Sequence, residues 1–394
     1  RQTIANTLGS KDPGSRIGII EAATGTGKTV AYLLAALPIA RELKKTLVIS
    51  TGPIALQEQL INEDIPELLA ACDWDYKFSL VKGRGRYVCN LRLHQHTKIK
   101  DGDDLSLNFL TNGIIDQSSN VNESLYEELL DALVKGNWDG DRDSWGAHIS
   151  DRDWNPLTVD RRQCTGRYCK FINECAFFTA RNNLEENDCF VVNHDLVMAD
   201  LVLGGGVILP KLDNAVFIFD EGHRLAECAI RHFRAECKLN SSIIWLESIV
   251  KQCSFQLTNS GDDASFRETL TGIRTLTEQL SSLFSLALPL FQKYESLKSP
   301  DDKEYRFPLG EIGDIERDVA KQISDTLRVW MGVKNALKDK LSEKLGGSNY
   351  KLRSTDLEYF FQLVGAWQTR AEKLLSLWDR LKTKISIYET PPAC

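Results

Sequence analysis

Two short stretches of this sequence hold the residue types that phosphate chemistry needs. One is AATGTGKT, residues 22–29. Its glycines let backbone N–H groups close around phosphates at the start of a helix; Lys28 can meet the β- and γ-phosphates, and Thr29 a magnesium ion. The full pattern G-x-x-x-x-G-K-[ST] has glycine where this chain has Ala22, so the strand before and the helix after give the match its weight. The other stretch is AVFIFDEGH, residues 215–223. Asp220 and Glu221 close an apolar strand, where Asp220 can hold magnesium through its water shell and Glu221 can orient or deprotonate an attacking water. Alone, His223 would read as an ordinary surface or core histidine. Its place after Asp-Glu makes it a candidate beside Lys28, Asp220 and Glu221.

A third stretch, DRRQCTGRYCKFINECAFFTAR at 160–181, sets Cys164, Cys169 and Cys175 at spacings x4 and x5, with Cys89 upstream after a basic run. Four thiolates that converge on folding suit an iron–sulfur cluster or a structural zinc. Zinc usually takes two tight C-x2–4-C pairs, whereas this chain has a triple and a distant single; spacing alone leaves both metals open. Around the cysteines lie Lys82, Arg84, Arg86, Tyr87, Arg92, Arg161, Arg162, Arg167, Tyr168, Lys170 and Phe171. Such a mixture can track a phosphate backbone while stacking bases, each stack worth about 1–3 kcal/mol, or be a solvated face near a metal.

The elements that must position these residues follow from periodicity. IGIIEA reads as a strand, ATGTGKT as a turn, VAYLLAALPIARELK as a helix and TLVIST as a second buried strand. ALQEQLINEDIPELLAAC is helical and KFSLVKG a further strand, so residues 1–81 form an alternating α/β domain with a parallel sheet. Residues 82–188 break that rhythm with VKGRGRYVC, acidic DGDD and NWDGDRDSW, the cysteines and one helix at ESLYEELLDALVK; they read as an insertion. CFVVNHDLVMADLVL and AVFIFDEGH rejoin the sheet over 189–223. Residues 224–384 read as a helical insert broken at NSGDD, SPDD and GGSN, and TKISIYETPPAC as the start of a return strand at 385–394.

The 394 residues, 42% hydrophobic and 26% charged, bound two to three domains of a globular protein. No apolar run approaches the roughly 18 residues of a membrane span, and no signal peptide is visible. Ten cysteines are too thinly spread for a disulfide scaffold. A net charge of −7 argues against wholesale coating of nucleic acid, but leaves a local basic groove open. The absence of an initial Met leads to the expectation of a fragment.

In their order, EAATGTGKT, VISTGPIALQEQL, KGRGRYVC, the cysteine triple, VVNHDLVMAD and FDEGH resemble the XPD-related iron–sulfur helicases of superfamily 2, most closely their bacterial DinG branch. The match is strong over residues 1–223 and weaker through the helices, where RFPLGEI resembles the arch region. The resemblance implies a RecA-like P-loop motor domain (1–81 and 189–223), an inserted iron–sulfur domain (82–188) and a helical arch (224–384). It places Thr24, Gly25, Thr26, Gly27, Lys28 and Thr29 with Asp220 around ATP and Mg2+, and a [4Fe-4S] cluster on Cys89, Cys164, Cys169 and Cys175. It points to Ser50, Thr51 and Gln57 as DNA-backbone contacts, beside Lys82, Arg84, Arg86, Tyr87 and Arg167. The implied activity is ATP-driven 5′→3′ movement on single-stranded DNA, unwinding forks, bubbles and RNA–DNA hybrids in repair and replication.

Nothing in the chain matches the Ser-Ala-Thr motif III or the arginine-bearing motif VI of a second motor domain, and an arginine finger is worth about 10³–10⁵ in rate. The expectation is a segment that binds DNA and a cluster yet hydrolyses ATP poorly by itself. Expected partners are single-stranded and forked DNA or RNA–DNA hybrids, with a single-strand-binding protein a further candidate, no membrane, a monomer, and a bacterial cytoplasm. Two rivals stand: a non-motor nucleic-acid-binding module with a structural metal, and a CRISPR-associated relative of the same helicase.

Overall fold

β-Branched runs bounded by turns come together in one parallel sheet in the computed structural model, which describes residues 2–8, 10, 16–23, 25–52, 54–98, 122–182, 184, 187–259, 263–297, 305, 307, 312–347 and 354–383. Thr24, the DGDD stretch, most of RFPLGEI and the expected return strand at 385–394 lie outside the described residues. The strands are β1 (Thr46–Thr51), β2 (Phe78–Leu80), β3 (Cys189–Asn193) and β4 (Ala215–Phe219). Their order is β2-β3-β1-β4, every pair parallel. In chain order the principal helices are α1 (Gln2–Leu8), α2 (Lys28–Glu42), α3 (Ile54–Gln59), α4 (Ile65–Cys72), α5 (Asn90–Lys98), α6 (Glu123–Val134) and α7 (Ala176–Asn182). Then come α8 (His194–Val202), α9 (Leu225–Phe233), α10 (Leu239–Asn259), α11 (Ala264–Gln292), α12 (Asp314–Gly346) and α13 (Ser354–Lys382).

The chain divides into two compact units. The first is Arg1–Arg86 with Phe177–Arg234 and holds the sheet. Alternation along β1 feeds two cores: Leu47 and Ile49 join Leu33, Leu37, Ile65 and Val191 on one face, and Val48 joins Phe190, Val192 and Leu196 on the other. Burial on both faces is why these strands read as continuous apolar runs rather than alternating ones. The helix expected over 55–72 is interrupted by a wider turn at Leu60–Asp64, just before Pro66 at the start of α4. A proline there has no N–H for the preceding turn, and the wider turn accommodates the loss.

IGIIEA departs from expectation. Residues 17–22 form no strand, and Ile17 and Ile19 are 82% and 98% exposed. β4 is the edge of the sheet on the side away from β2 and β3, and nothing among the described residues pairs with its outer side. A strand exists only through its ladder partners, so an apolar run without one stays exposed and unassigned to the sheet.

The second unit is Tyr87–Ala176 with Ala235–Cys394, so the cysteine segment and the long helices share it. α10 packs on α11, α11 on α12 and α12 on α13. Their core contains Trp330, Trp367, Trp378 and Phe284. Two of the buried indoles find acceptors: Trp330 Nε1 donates to Thr277 Oγ1 (2.8 Å) and Trp367 Nε1 to Gln252 Oε1 (3.1 Å), whereas Trp378 Nε1 has none among the described residues. A smaller core under α5 and α6 gathers Val88, Leu93, Tyr126, Leu129, Trp138, Trp154 and Leu157.

The cysteine segment is clamped to α12 and α13. Arg162 pairs with Glu372, its carbonyl accepts from Lys338 Nζ (2.8 Å), and Thr369 Oγ1 donates to Asp160 Oδ2 (2.6 Å). Gly365 makes the approach possible, because a Cβ there would collide with the backbone of Arg162 and Gln163. Gly365→Ala is therefore expected to destabilise this unit by about 1–3 kcal/mol, as overpacking does, read as a lowered midpoint in chemical denaturation.

His96 yields a second expectation. Burial, and then the charge of Arg92, push its pKa down to about 4, so the folded chain keeps it neutral. The unfolded chain takes up that proton near pH 6.5, so stability is full above about pH 6.5 and falls as pH drops toward 4. The loss is on the order of 3 kcal/mol. His96→Leu is expected to flatten the dependence of denaturation midpoint on pH across that window.

Candidate nucleotide-binding and cysteine sites

The glycine loop leads into α2 with Gly25 at φ 77° and Gly27 at φ 73°. Both lie in the left-handed region, which frees the backbone to curl at a helix start. Thr26 Oγ1 donates to Ala23 O (2.8 Å) and steadies the turn. Lys28, the first residue of α2, reaches Glu221: Nζ lies 3.4 Å from Oε1. The other oxygen of that carboxylate lies 3.4 Å from His223 Nδ1. Lys28 thus meets Glu221, 193 positions further along the chain, with His223 on the other oxygen of the same carboxylate.

Glu221 adopts φ 54°, an uncommon conformation for a residue with a Cβ. It is held there by its neighbours: its N–H donates to Asp220 Oδ1 (3.0 Å), and the Asp220 N–H donates to Ser50 O (2.8 Å) at the end of β1. Strain of this kind gathers where side chains must be aimed. Thr29 and Asp220, the expected magnesium residues, are joined through Tyr32. Burial pushes the Tyr32 phenol up, the Asp220 charge adds to this, and a hydrogen bond with Thr29 opposes it. Asp64 is raised by burial and by the charges of Glu63, Glu67 and Asp220. That accumulation of negative charge is the field a bound divalent cation would relieve.

Tyr32, Asp64 and His194 were not singled out from sequence. Tyr32 had a signal, lying four positions after Lys28 on the same face of α2. His194 opens α8 beyond β3, is buried, and meets Ser50 Oγ through Nδ1 at 2.7 Å. The expected DNA contacts Ser50, Thr51 and Gln57 are all buried, and the Ser50 hydroxyl is spent on His194. Of the basic candidates, Lys82, Arg84 and Arg86 belong to the first unit, and Arg167 with Tyr87 to the second. The Arg84 guanidinium sits 3.8 Å over the Phe177 ring, and the exposed Arg167 donates to Tyr168 Oη (2.7 Å). Tyr87 is buried beside its bridge to Asp141, so its ring is not presented for base stacking.

The four cysteines are partly buried, and none is in a disulfide. Burial pushes the Cys89 thiol up to about 12, and the neighbouring Cys169 and Cys164 raise it further, while the Arg92 N–H and charge oppose them. Cys169 is likewise raised by burial and opposed by the Phe171 N–H and the Thr165 hydroxyl. Cys164 Sγ accepts from the Gly166 N–H at 3.4 Å. Three sulfurs thus share a neighbourhood, each with a hydrogen-bond donor. Cys175 is brought near through its neighbour: Asn90, next to Cys89, donates to the carbonyl of Glu174 (3.1 Å). Among the described residues, no three His, Cys, Asp or Glu side chains converge as a ready-made site for one metal ion. No helix among them is long and apolar enough to cross a membrane.

No protein-family model matches the chain. A protein of Photobacterium profundum named ATP-dependent DNA helicase DinG is 31% identical over 376 residues, which is 95% of this chain and 52% of that protein. Proteins of the same name from Escherichia coli K12 and Salmonella typhimurium LT2 are each 31% identical over 358 residues, covering 87% of this chain and 47% of theirs. The chain spans about half the length of the curated relatives it matches. Over that span, the chain belongs to the DinG family.

Proposed function

We propose that this chain is the first motor domain, iron–sulfur domain and helical arch of an ATP-dependent DNA helicase that moves 5′→3′ on single-stranded DNA and opens forks, bubbles or RNA–DNA hybrids. The observation that carries the motor reading is the meeting of Lys28, Glu221 and His223 at the C-terminal edge of a parallel sheet, with Thr29 and Asp220 sharing Tyr32. Ligands bind at that edge in open α/β sheets. In this reading the curled loop from Gly25 to Gly27 receives the phosphates and Lys28 neutralises the β,γ bridge. Thr29 and Asp220 hold Mg2+, and Glu221 takes the proton of the attacking water with His223 steadying its second oxygen. A nucleotide γ-phosphate would compete with Glu221 for Lys28, freeing the carboxylate as the phosphate arrives.

The cysteine centre is read as [4Fe-4S] rather than zinc. A single tetrahedral zinc needs its sulfurs drawn together at about 2.3 Å from one ion, whereas a cluster seats each thiolate on its own iron and is tuned by hydrogen bonds to sulfur. The donors at Cys89, Cys164 and Cys169 support the second choice. Bound there, the cluster would tie α5 to the segment clamped on α13, and so fix the surface that carries Arg167 and Lys170. Lys82, Arg84, Arg86 and Arg167 are the proposed strand contacts; Ser50, Thr51 and Gln57 act by shaping the end of β1 rather than by side-chain contact.

Strand displacement by the full-length protein tests this. A duplex with a 5′ single-stranded tail is expected to be opened with ATP and Mg2+, one with only a 3′ tail left closed, and Lys28→Ala to abolish opening while sparing DNA binding. Opening that persists in Lys28→Ala would refute the motor reading.

A further inference from the structure

The helix that follows Cys89 contains a charge with no visible reason to be there. Arg92 is 3% exposed, and among the described residues no Asp or Glu pairs with it. Its guanidinium lies 5.4 Å from the centre of the Tyr359 ring and meets the neutral phenol, and its Nε has no hydrogen-bond partner among the described residues. Beside it, both amide atoms of Gln95, itself 3% exposed, are buried without partners among the described residues. A permanently charged guanidinium is not buried unpaired without a large cost, so an anionic group must face it in the working protein. His96 lies on the same helix and feels Arg92 as a repelling charge, so it is no counter-ion. Cys89 stands three positions before it at the start of the same helix, its carbonyl accepting the Leu93 N–H (2.9 Å), and the segment of the cysteine triple lies against that helix, with the Phe171 ring stacked on His94 at 4.6 Å and Asn90 Nδ2 donating to Glu174 O (3.1 Å).

We propose that Arg92 is the buried counter-cation of the four-cysteine centre, a positioning residue whose charge secures the bound cluster and raises its reduction potential. This rests on the iron–sulfur reading above. Four thiolates around a cluster carry net negative charge, and taking up one electron makes that charge more negative by one. A fixed cation in a low-dielectric interior favours the more negative, reduced form. Burial keeps water from doing the same work, which is why one side chain can set the balance. The Tyr359 ring, 5.4 Å from the guanidinium, holds it in place and helps exclude solvent from it.

Anaerobically prepared full chain and its Arg92→Gln and Arg92→Lys variants are compared by iron and acid-labile sulfide content, and by dithionite titration followed in the visible spectrum. Arg92→Gln is expected to lower the reduced-to-oxidised ratio at a fixed potential by about tenfold, a shift of ~59 mV for a one-electron couple, with Arg92→Lys close to the unmodified chain. Full iron with an unchanged potential in Arg92→Gln overturns the role of Arg92 and leaves the cluster standing. An unmodified chain without iron or sulfide overturns the cluster itself. Should Arg92→Gln not fold by circular dichroism, chelator-driven loss of iron from Arg92→Lys decides: a rate like that of the unmodified chain supports the charge, and a rate at least tenfold faster overturns it.

Discussion

Replacing Glu221 by Gln is expected to lower ATP turnover by the full-length protein by about 10²–10⁴-fold while nucleotide still binds. Glutamine keeps the size of the side chain and a hydrogen-bonding oxygen but cannot accept a proton from water. If Glu221 is the base, the loss falls on kcat. If instead it only partners Lys28, at 3.4 Å, then the neutral amide releases Lys28 to a nucleotide, and binding tightens with turnover nearly intact. Steady-state hydrolysis together with titration of a fluorescent ATP analogue separates the outcomes, because each predicts movement in a different constant. His223→Ala provides a graded comparison. It removes the contact at the second carboxylate oxygen and is expected to have a smaller effect than Glu221→Gln.

The second large effect is expected at Cys89. Cys89→Ser should empty the centre of iron and sulfide and lower the stability of the second unit, whereas Cys72→Ser, in the first unit and outside the set, should do neither. Cys89 is the one candidate ligand outside the triple, so of the four it alone would tie the start of α5 through the centre to the segment clamped on α12 and α13. Cutting a long-range cross-link of that kind costs about 2–4 kcal/mol when the link is a disulfide, and a metal-centred link belongs to the same order. The thiols point the same way: with Cys89 pushed up to about 12 and Cys169 raised, neither is a thiolate at neutral pH without a cation to hold it. Loading should therefore release protons, and iron retention should weaken as pH falls. Iron analysis and denaturation of both variants check the prediction.

Local signals in the sequence were legible where the chemistry is local. GKT after a turn and DEGH after Val, Phe and Ile name their residues, because a glycine loop and a strand terminus are properties of a few neighbouring positions. IGIIEA was not legible in that way: its apolar, β-branched pattern is real, but strand formation depends on a partner elsewhere, and β4 leaves its outer side unpaired among the described residues. The same limit applies to Tyr87 and Ser50. A tyrosine in a basic run looks ready to stack a base, yet it is buried, and a serine at a strand end looks open until His194, 144 positions away, takes its hydroxyl. Arg92 appeared in the sequence as one basic residue among many. Only its burial beside Cys89 distinguishes it from Arg161 or Arg167, which are exposed.

The central claim, that this site turns over ATP in the service of DNA, is tested most directly by ATP hydrolysis of the full-length protein measured with and without single-stranded DNA. The account predicts turnover that rises with DNA and disappears in Lys28→Ala. Turnover that ignores both DNA and Lys28, or no turnover at all from folded, iron-replete protein, would contradict it.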